Sequence, residues 1–221
     1  MKQITTIVFD MYGVIIEESK GNFLPFVFER ISDITRETIV EHFSAAGLGR
    51  ITAKEFFHHL GFDGDYRKHQ TEYLTKYLTL DPGFHQCAAQ LGRDFDLMLL
   101  SNDLMEWNTF LMDHHRIGDL IRKTTISGEA GARKPDPVIF QIHFKRYHVS
   151  PDECLFIDNS VKNLNTATSL GMNTILFNRD NETYDGLAAS SFAELQASIT
   201  DHFASMRINS PMFELENRID G

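Results

Sequence analysis

Four short polar clusters carry the residues of this chain best suited to chemistry, and three of them stand directly after an apolar run. Asp10 follows Ile7-Val8-Phe9, and Gly13, three residues on, permits a tight turn. Ser101-Asn102-Asp103 follows Leu97 to Leu100, and Asp158-Asn159-Ser160 follows Cys154 to Ile157, with Asn163 beyond. Lys134-Pro135 stands just before Asp136-Pro137, a helix N-cap and first-turn pair. A carboxylate nucleophile, a hydroxyl with an amide, a lysine and a second carboxylate suit attack on an anionic, electrophilic centre. Taken singly, each cluster has a plainer reading: strand-end carboxylates cap turns, and Ser-Asn pairs form them. Together, at the ends of strands, they favour a site, while Asn163 is evenly placed between a site role and a backbone partner.

Positioning these groups requires an alternation of strands and helices. Ile4 to Phe9 reads as the first strand, and further strands are expected over 95–100, 124–127, 154–158 and 173–177. Helices are expected over 84–91, 104–114, 137–147 and 160–170, with a last one capped by Ser191. This order gives an α/β fold, a doubly wound parallel sheet whose strand ends converge on one crevice. The stretch between the first strand and Phe84 breaks the alternation. Phe23 to Ile31, Thr35 to Phe43, a helix opened by the Thr52-Ala53-Lys54-Glu55 capping box, and Asp65 to Leu78 are all helical, with a break expected at Ala45-Ala46-Gly47. The expected organisation is a core over 1–16 and 82–205, a helical cap over 17–81 and a C-terminal extension over 206–221.

The 221 residues are 42% hydrophobic, enough for one sizeable core. Basic residues number 21 against 31 acidic ones, a net charge of −10, so nucleic acid and anionic membrane surfaces are poor partners. No apolar stretch has the length of a membrane span and no secretory pattern opens the chain. Cys87 and Cys154 sit in apolar settings, as buried free thiols of a reducing cytoplasm would. The His58-His59 and His114-His115 pairs point to different helix faces and are expected to pack or be solvated rather than chelate. Gly128 to Lys134 lacks the spacing of a Walker loop.

The clusters resemble, in order, the four motifs of the haloacid dehalogenase superfamily: Phe9-Asp10-Met11-Tyr12-Gly13-Val14, Leu100-Ser101-Asn102, Gly131 to Pro137, and Phe156 to Asn163. The resemblance covers most of the chain and implies a Rossmann-like core with an α-helical cap. It implies a cytoplasmic hydrolase in which Asp10 attacks to form a covalent aspartyl intermediate. Ser101 and the Asn102 backbone would hold the transferring group. Lys134 would keep Asp10 ionised, and Mg²⁺ would be held by Asp10 and Asp158 with the Asn159 amide as a neutral ligand. The partner implied is a small phosphorylated molecule; the oligomeric state is left open.

Two positions depart from the superfamily's phosphatases. Tyr12 stands where they carry an acid/base aspartate, and Asn159 replaces the second carboxylate of an acidic pair. A phenol of pKa about 10 is a poor base at neutral pH. Leaving groups that need no proton, such as aryl, acyl or anhydride phosphates, would suffer least. Tyrosine is what the superfamily's 2-haloacid dehalogenases carry, and metal-independent dehalogenation is therefore an alternative. Asp158 speaks against it, because its charge would repel a haloacid carboxylate. A weakly active or non-catalytic phosphometabolite-binding protein is the other alternative. Tyr12 itself is read either as a catalytic residue or as a packing ring at the gate.

Overall fold

A computed structural model describes residues 3–18 and 21–204, with the backbone alone for residues 203 and 204. Its elements, in chain order, are β1 (Thr6–Phe9), α1 (Phe23–Phe28), α2 (Arg36–Gly47), α3 (Ala53–His59), α4 (Tyr66–Lys76), α5 (Phe84–Leu91), β2 (Asp96–Ser101), α6 (Met105–His114), β3 (Lys123–Ile126), α7 (Ser127–Ala130), α8 (Pro137–Tyr147), β4 (Cys154–Asp158), α9 (Val161–Ser169), β5 (Asn173–Phe177), β6 (Leu187–Ala189) and α10 (Phe192–Ile199). The six strands form one parallel sheet of order β3-β2-β1-β4-β5-β6. The chain reverses direction across the sheet between β1 and β4, which puts their carboxyl ends at the topological switch point.

Both faces of the sheet are covered, which is why β1 and β4 are apolar along their length rather than alternating. Ile7, Phe9, Leu99, Ile157 and Phe177 pack on one face with Phe84 of α5 and Phe192 of α10. Val8, Met98, Leu100, Phe156 and Leu176 pack on the other with Ile139 and Phe140 of α8 and Leu164 of α9. Helices on both faces make the fold a Rossmann-like, doubly wound α/β arrangement.

Local sequence explains most element ends. Thr52 and Glu55 close a reciprocal capping box on α3, and Asp136 with Pro137 opens α8. The break expected at Ala45-Ala46-Gly47 does not occur: α2 runs through all three, because alanine favours helix and Gly47 keeps a negative φ. The chain turns instead at Gly49, where φ is +67°. β6 was not expected; three residues on a sheet edge give too little periodicity to see. The stretch proposed as an extension after Arg207 lies outside the described residues.

α1 to α4 pack around an aromatic cluster in which Phe23 meets Phe56, Tyr73 and Trp107 of α6. Two stretches link these helices to the sheet, and they are bonded to each other. Glu17 N–H donates to Thr79 O (2.9 Å), Asp81 N–H donates to Ile15 O (2.9 Å), and Ile16 and Leu80 form an antiparallel bridge. Arg179, just after β5, donates to the carbonyls of Gly13 (3.3 Å) and Val14 (3.0 Å) and pairs with Asp81. Among the described residues, no helix is long and apolar enough to cross a membrane.

Candidate active site

The ends of β1 and β4 deliver two carboxylates to one lysine. Lys134 Nζ lies 2.8 Å from Asp10 Oδ1 and 2.7 Å from Asp158 Oδ2, and all three residues are buried. The Asp10 N–H continues the ladder to Ile157 O (2.9 Å), so the nearby β4 fixes the backbone of Asp10. Met11 N–H donates to Asp10 Oδ1 (2.7 Å), and Oδ2 takes no hydrogen bond from the described residues. Asp158 is fully engaged. Its Oδ1 accepts from Ser160 N–H (2.7 Å) and its Oδ2 from Lys134, while the Asn163 amide reaches both oxygens at 3.1 and 3.0 Å.

Asn102 sets the lysine loop through a reciprocal pair. The Lys134 N–H donates to Asn102 Oδ1 (2.8 Å), and Asn102 Nδ2 donates to Lys134 O (2.9 Å). The Lys134-Pro135 peptide is cis, and the ammonium lies 5.2 Å from the Phe156 ring centroid. Ser101 ends β2 fully buried, and its hydroxyl has no hydrogen-bond partner in the protein. Such a donor is expected to meet a ligand or water. Asn159 lies over the turn after Asp10, so close to Gly13 that a side chain there would strike its amide. Gly13 also has a φ of +80°, and both constraints demand glycine.

Burial dominates the electrostatics. It pushes the Asp10 carboxyl up to about 7 against the pull of Lys134, and Asp158 adds to the rise. Burial alone would lower Lys134, but Asp10 and Asp158 outweigh it and hold the ammonium above its usual range. With both carboxyls ionised, the cluster is one positive charge short.

Tyr12 lies beside the cluster with its hydroxyl buried. That hydroxyl faces the Asp103 carboxyl without closing a hydrogen bond. Burial and Asp103 raise the phenol well above its usual range, and burial does the same to Asp103, which Asn108 also faces. Sequence reasoning assigned no role to Asp103 or Asn108; only the turn after β2 brings them against Tyr12. A cavity of about 490 Å³ is lined by Tyr12, Asn102 and Arg133, which neighbour Asp10, Ser101 and Lys134 in sequence, and by side chains of α1, α2, α4 and α6. Both cysteines are buried, with thiols pushed up to about 12 chiefly by burial, so neither supplies a nucleophile. Among the described residues, no group of three or more His, Cys, Asp or Glu could hold a metal, and the histidine pairs make ring contacts instead.

Residues 4–171, a span holding all four clusters, match the sequence profile of haloacid dehalogenase-like hydrolases. The chain belongs to this family. The hydrolase is 26% identical over 187 residues to D-ribitol-5-phosphate phosphatase of Bacteroides thetaiotaomicron, a match covering 77% of this chain and 90% of that one. It is 30% identical over 95 residues to flavin mononucleotide hydrolase 1 of Arabidopsis thaliana, covering 43% and 37%. In fold, it resembles a family enzyme of Bacteroides thetaiotaomicron solved as a magnesium complex: TM-score 0.68, 24% identity, 83% of this chain and 98% of that one. It also resembles a 2-haloacid dehalogenase of Pseudomonas syringae: TM-score 0.69, 14% identity, covering 90% and 99%. At such identities, the structural likeness speaks for the fold alone.

The donor set of this hydrolase suits a hard divalent cation, since the cluster lacks one positive charge and Asp10 Oδ2 is open. Asp10 would ligate magnesium directly. Asp158, whose oxygens already take four contacts, would hold it through water or after releasing a donor. Asn159 directly follows Asp158, and its amide lies against Gly13 in the turn after Asp10.

Proposed function

We propose that the hydrolase removes a phosphoryl group from a small molecule through a covalent intermediate on Asp10. The observation that carries this reading is the shared Lys134, 2.8 Å from Asp10 and 2.7 Å from Asp158 at the sheet's switch point. Lys134 opposes the burial that favours protonated Asp10 and aims its carboxylate, leaving Oδ2 as the attacking oxygen. Oδ2 forms a bond to phosphorus as the bond to the leaving oxygen breaks, and the leaving group departs with the electron pair. The Ser101 hydroxyl and the Lys134 ammonium hold the phosphoryl oxygens. Water then attacks phosphorus and regenerates the Asp10 carboxylate with release of inorganic phosphate. Magnesium, when bound, would supply the missing positive charge on the phosphoryl oxygens. Residues 17–81 act as the cap that excludes bulk water.

Tyr12 is a wall rather than a proton donor in this reading, because its hydroxyl is buried against Asp103. Losing positioned acid/base help costs roughly 10²–10⁴-fold in rate. The reaction therefore favours leaving oxygens that are stable as anions. The test is trapping: brief incubation with acetyl phosphate, an acid quench and peptide mass spectrometry. A phosphoryl adduct on Asp10, absent in Asp10→Asn, supports the proposal. Turnover without dependence on Asp10 refutes it.

A second reading, carbon–halogen hydrolysis through an Asp10 ester, draws on Tyr12 and on Arg133 at the cavity, which pairs with no acid among the described residues. Asp158, buried beside Asp10, opposes a carboxylate substrate. Halide release from a 2-haloacid at a rate above phosphate release would favour this second reading.

A further inference from the structure

We infer that the organic part of the substrate is aromatic and joined through an aryl oxygen, an aryl phosphate with room for a second ring. This rests on the phosphoryl-transfer reading and specifies its substrate class. Two independent observations converge on it.

The first is the chemistry of the cavity wall. Together with Tyr12, which stands two residues after Asp10, the residues Phe23, Ile39, Phe43 and Trp107 line the space. Its polar groups are few and mostly engaged. The Asn102 amide is held by the Lys134 backbone, and the Glu18 carboxylate accepts from the Tyr73 hydroxyl (3.0 Å). Among the described lining residues Ser44 remains, with Arg133 as a cation that pairs with no acid among the described residues. A polyol or sugar brings several hydroxyls, each needing a partner once buried. The described lining residues leave few groups free to supply them, whereas they suit the faces and edges of an aromatic ring. A volume of about 490 Å³ lies within the roughly 300–1,000 Å³ of small-molecule sites. A single ring would leave much of it empty.

The second observation concerns the leaving oxygen. The Tyr12 ring lines the cavity while its hydroxyl lies buried, facing Asp103. With that hydroxyl withdrawn from the cavity, Tyr12 offers no proton to a departing alkoxide. An aryl oxygen leaves as a phenolate and needs no such proton, so the wall and the missing donor select the same chemical class.

Steady-state kinetics on phenyl phosphate, 2-naphthyl phosphate, ribitol 5-phosphate and acetyl phosphate test this. The two aryl esters leave with similar acidity and differ in the second ring. The expected result is a kcat/KM for the naphthyl ester on the order of tenfold above the phenyl ester, the scale on which pockets discriminate apolar groups. Both aryl esters should exceed ribitol 5-phosphate by roughly 10²-fold or more. Phe43→Ser should narrow the naphthyl-to-phenyl ratio. Val40→Ser, at an exposed position on the cavity rim, should narrow it too without risk to folding. Equal kcat/KM for the two aryl esters, or ribitol 5-phosphate turned over as well as either, overturns the aromatic assignment and leaves phosphoryl transfer standing. No turnover of any of the four, acetyl phosphate included, with no adduct on Asp10, overturns phosphoryl transfer and this inference with it.

Discussion

Asn163→Leu isolates what holds the buried ion cluster in place. Leucine keeps the branched outline of asparagine but is bulkier, so the change removes a donor and opens no cavity, while adding some crowding at a buried site. In the native protein, the Asn163 amide reaches Asp158 Oδ1 at 3.1 Å and Oδ2 at 3.0 Å, and Asp158 is wholly buried. A hydrogen bond to a buried charged group contributes about 1.5–3 kcal/mol. Urea unfolding at pH 7 should register a loss of that size. Asp158 should also draw harder on Lys134, now its main partner, and slacken the pairing with Asp10. At about 1.4 kcal/mol per decade, kcat should fall roughly 10- to 100-fold while KM moves only a few-fold. Asn163→Asp keeps the shape but offers an acceptor in place of a donor, and should be worse on both counts. A Leu variant within about 0.5 kcal/mol and twofold of wild type would show that Ser160 and Lys134 alone hold Asp158, and the reasoning would fail.

Tyr12→Asp should raise hydrolysis of an alkyl phosphate by roughly 10²-fold relative to an aryl phosphate, since a carboxyl can protonate the alkoxide; an unchanged ratio would show that protonation does not limit the reaction. His143 on α8 is fully buried, its Nδ1 2.9 Å from the Thr125 hydroxyl, and burial lowers it from 6.5 to about 4. Its folded pKa is depressed, so the stability it confers is full above pH 6.5 and lost as pH falls toward 4. At about 1.4 kcal/mol per unit, the loss is about 3 kcal/mol. Wild type should therefore lose about that much more than His143→Gln between pH 7 and pH 4, and parallel curves would contradict the assignment. Chelation should lower aryl-phosphate turnover at least tenfold and added magnesium restore it, whereas turnover indifferent to chelation removes the ion from the reaction.

The strand ends were legible because each apolar run stops at a polar cluster: Asp10, Ser101 and Asp158 stand at or directly after the ends of β1, β2 and β4. The caps at Thr52, Asp136 and Ser191 were legible because capping is local chemistry. What lay outside the sequence was whatever depends on two distant segments meeting. The doubly bonded Asn163 amide, the Asn102 clamp on Lys134 and the Asp103 carboxyl against Tyr12 are of that kind. So is the cavity, whose walls come from α1, α2, α4 and α6, and whose apolar residues are at helical spacing indistinguishable from core. The substitution at Tyr12 signalled altered acid/base chemistry, but the direction of its hydroxyl is set by neighbours ninety residues away.

The bonded pair of stretches that joins α1–α4 to the sheet dictates how anything reaches Asp10. Because Glu17 is tied to Thr79, Asp81 to Ile15, and Arg179 to both sides, the outgoing and returning chains cannot slide past one another. Any swing of α1–α4 against the sheet would therefore turn about this bonded stem. Under the phosphoryl-transfer proposal, entry of substrate and exit of phosphate would share that movement. Loosening the stem at Arg179, which does not line the cavity, would then change the timing of admission and release together.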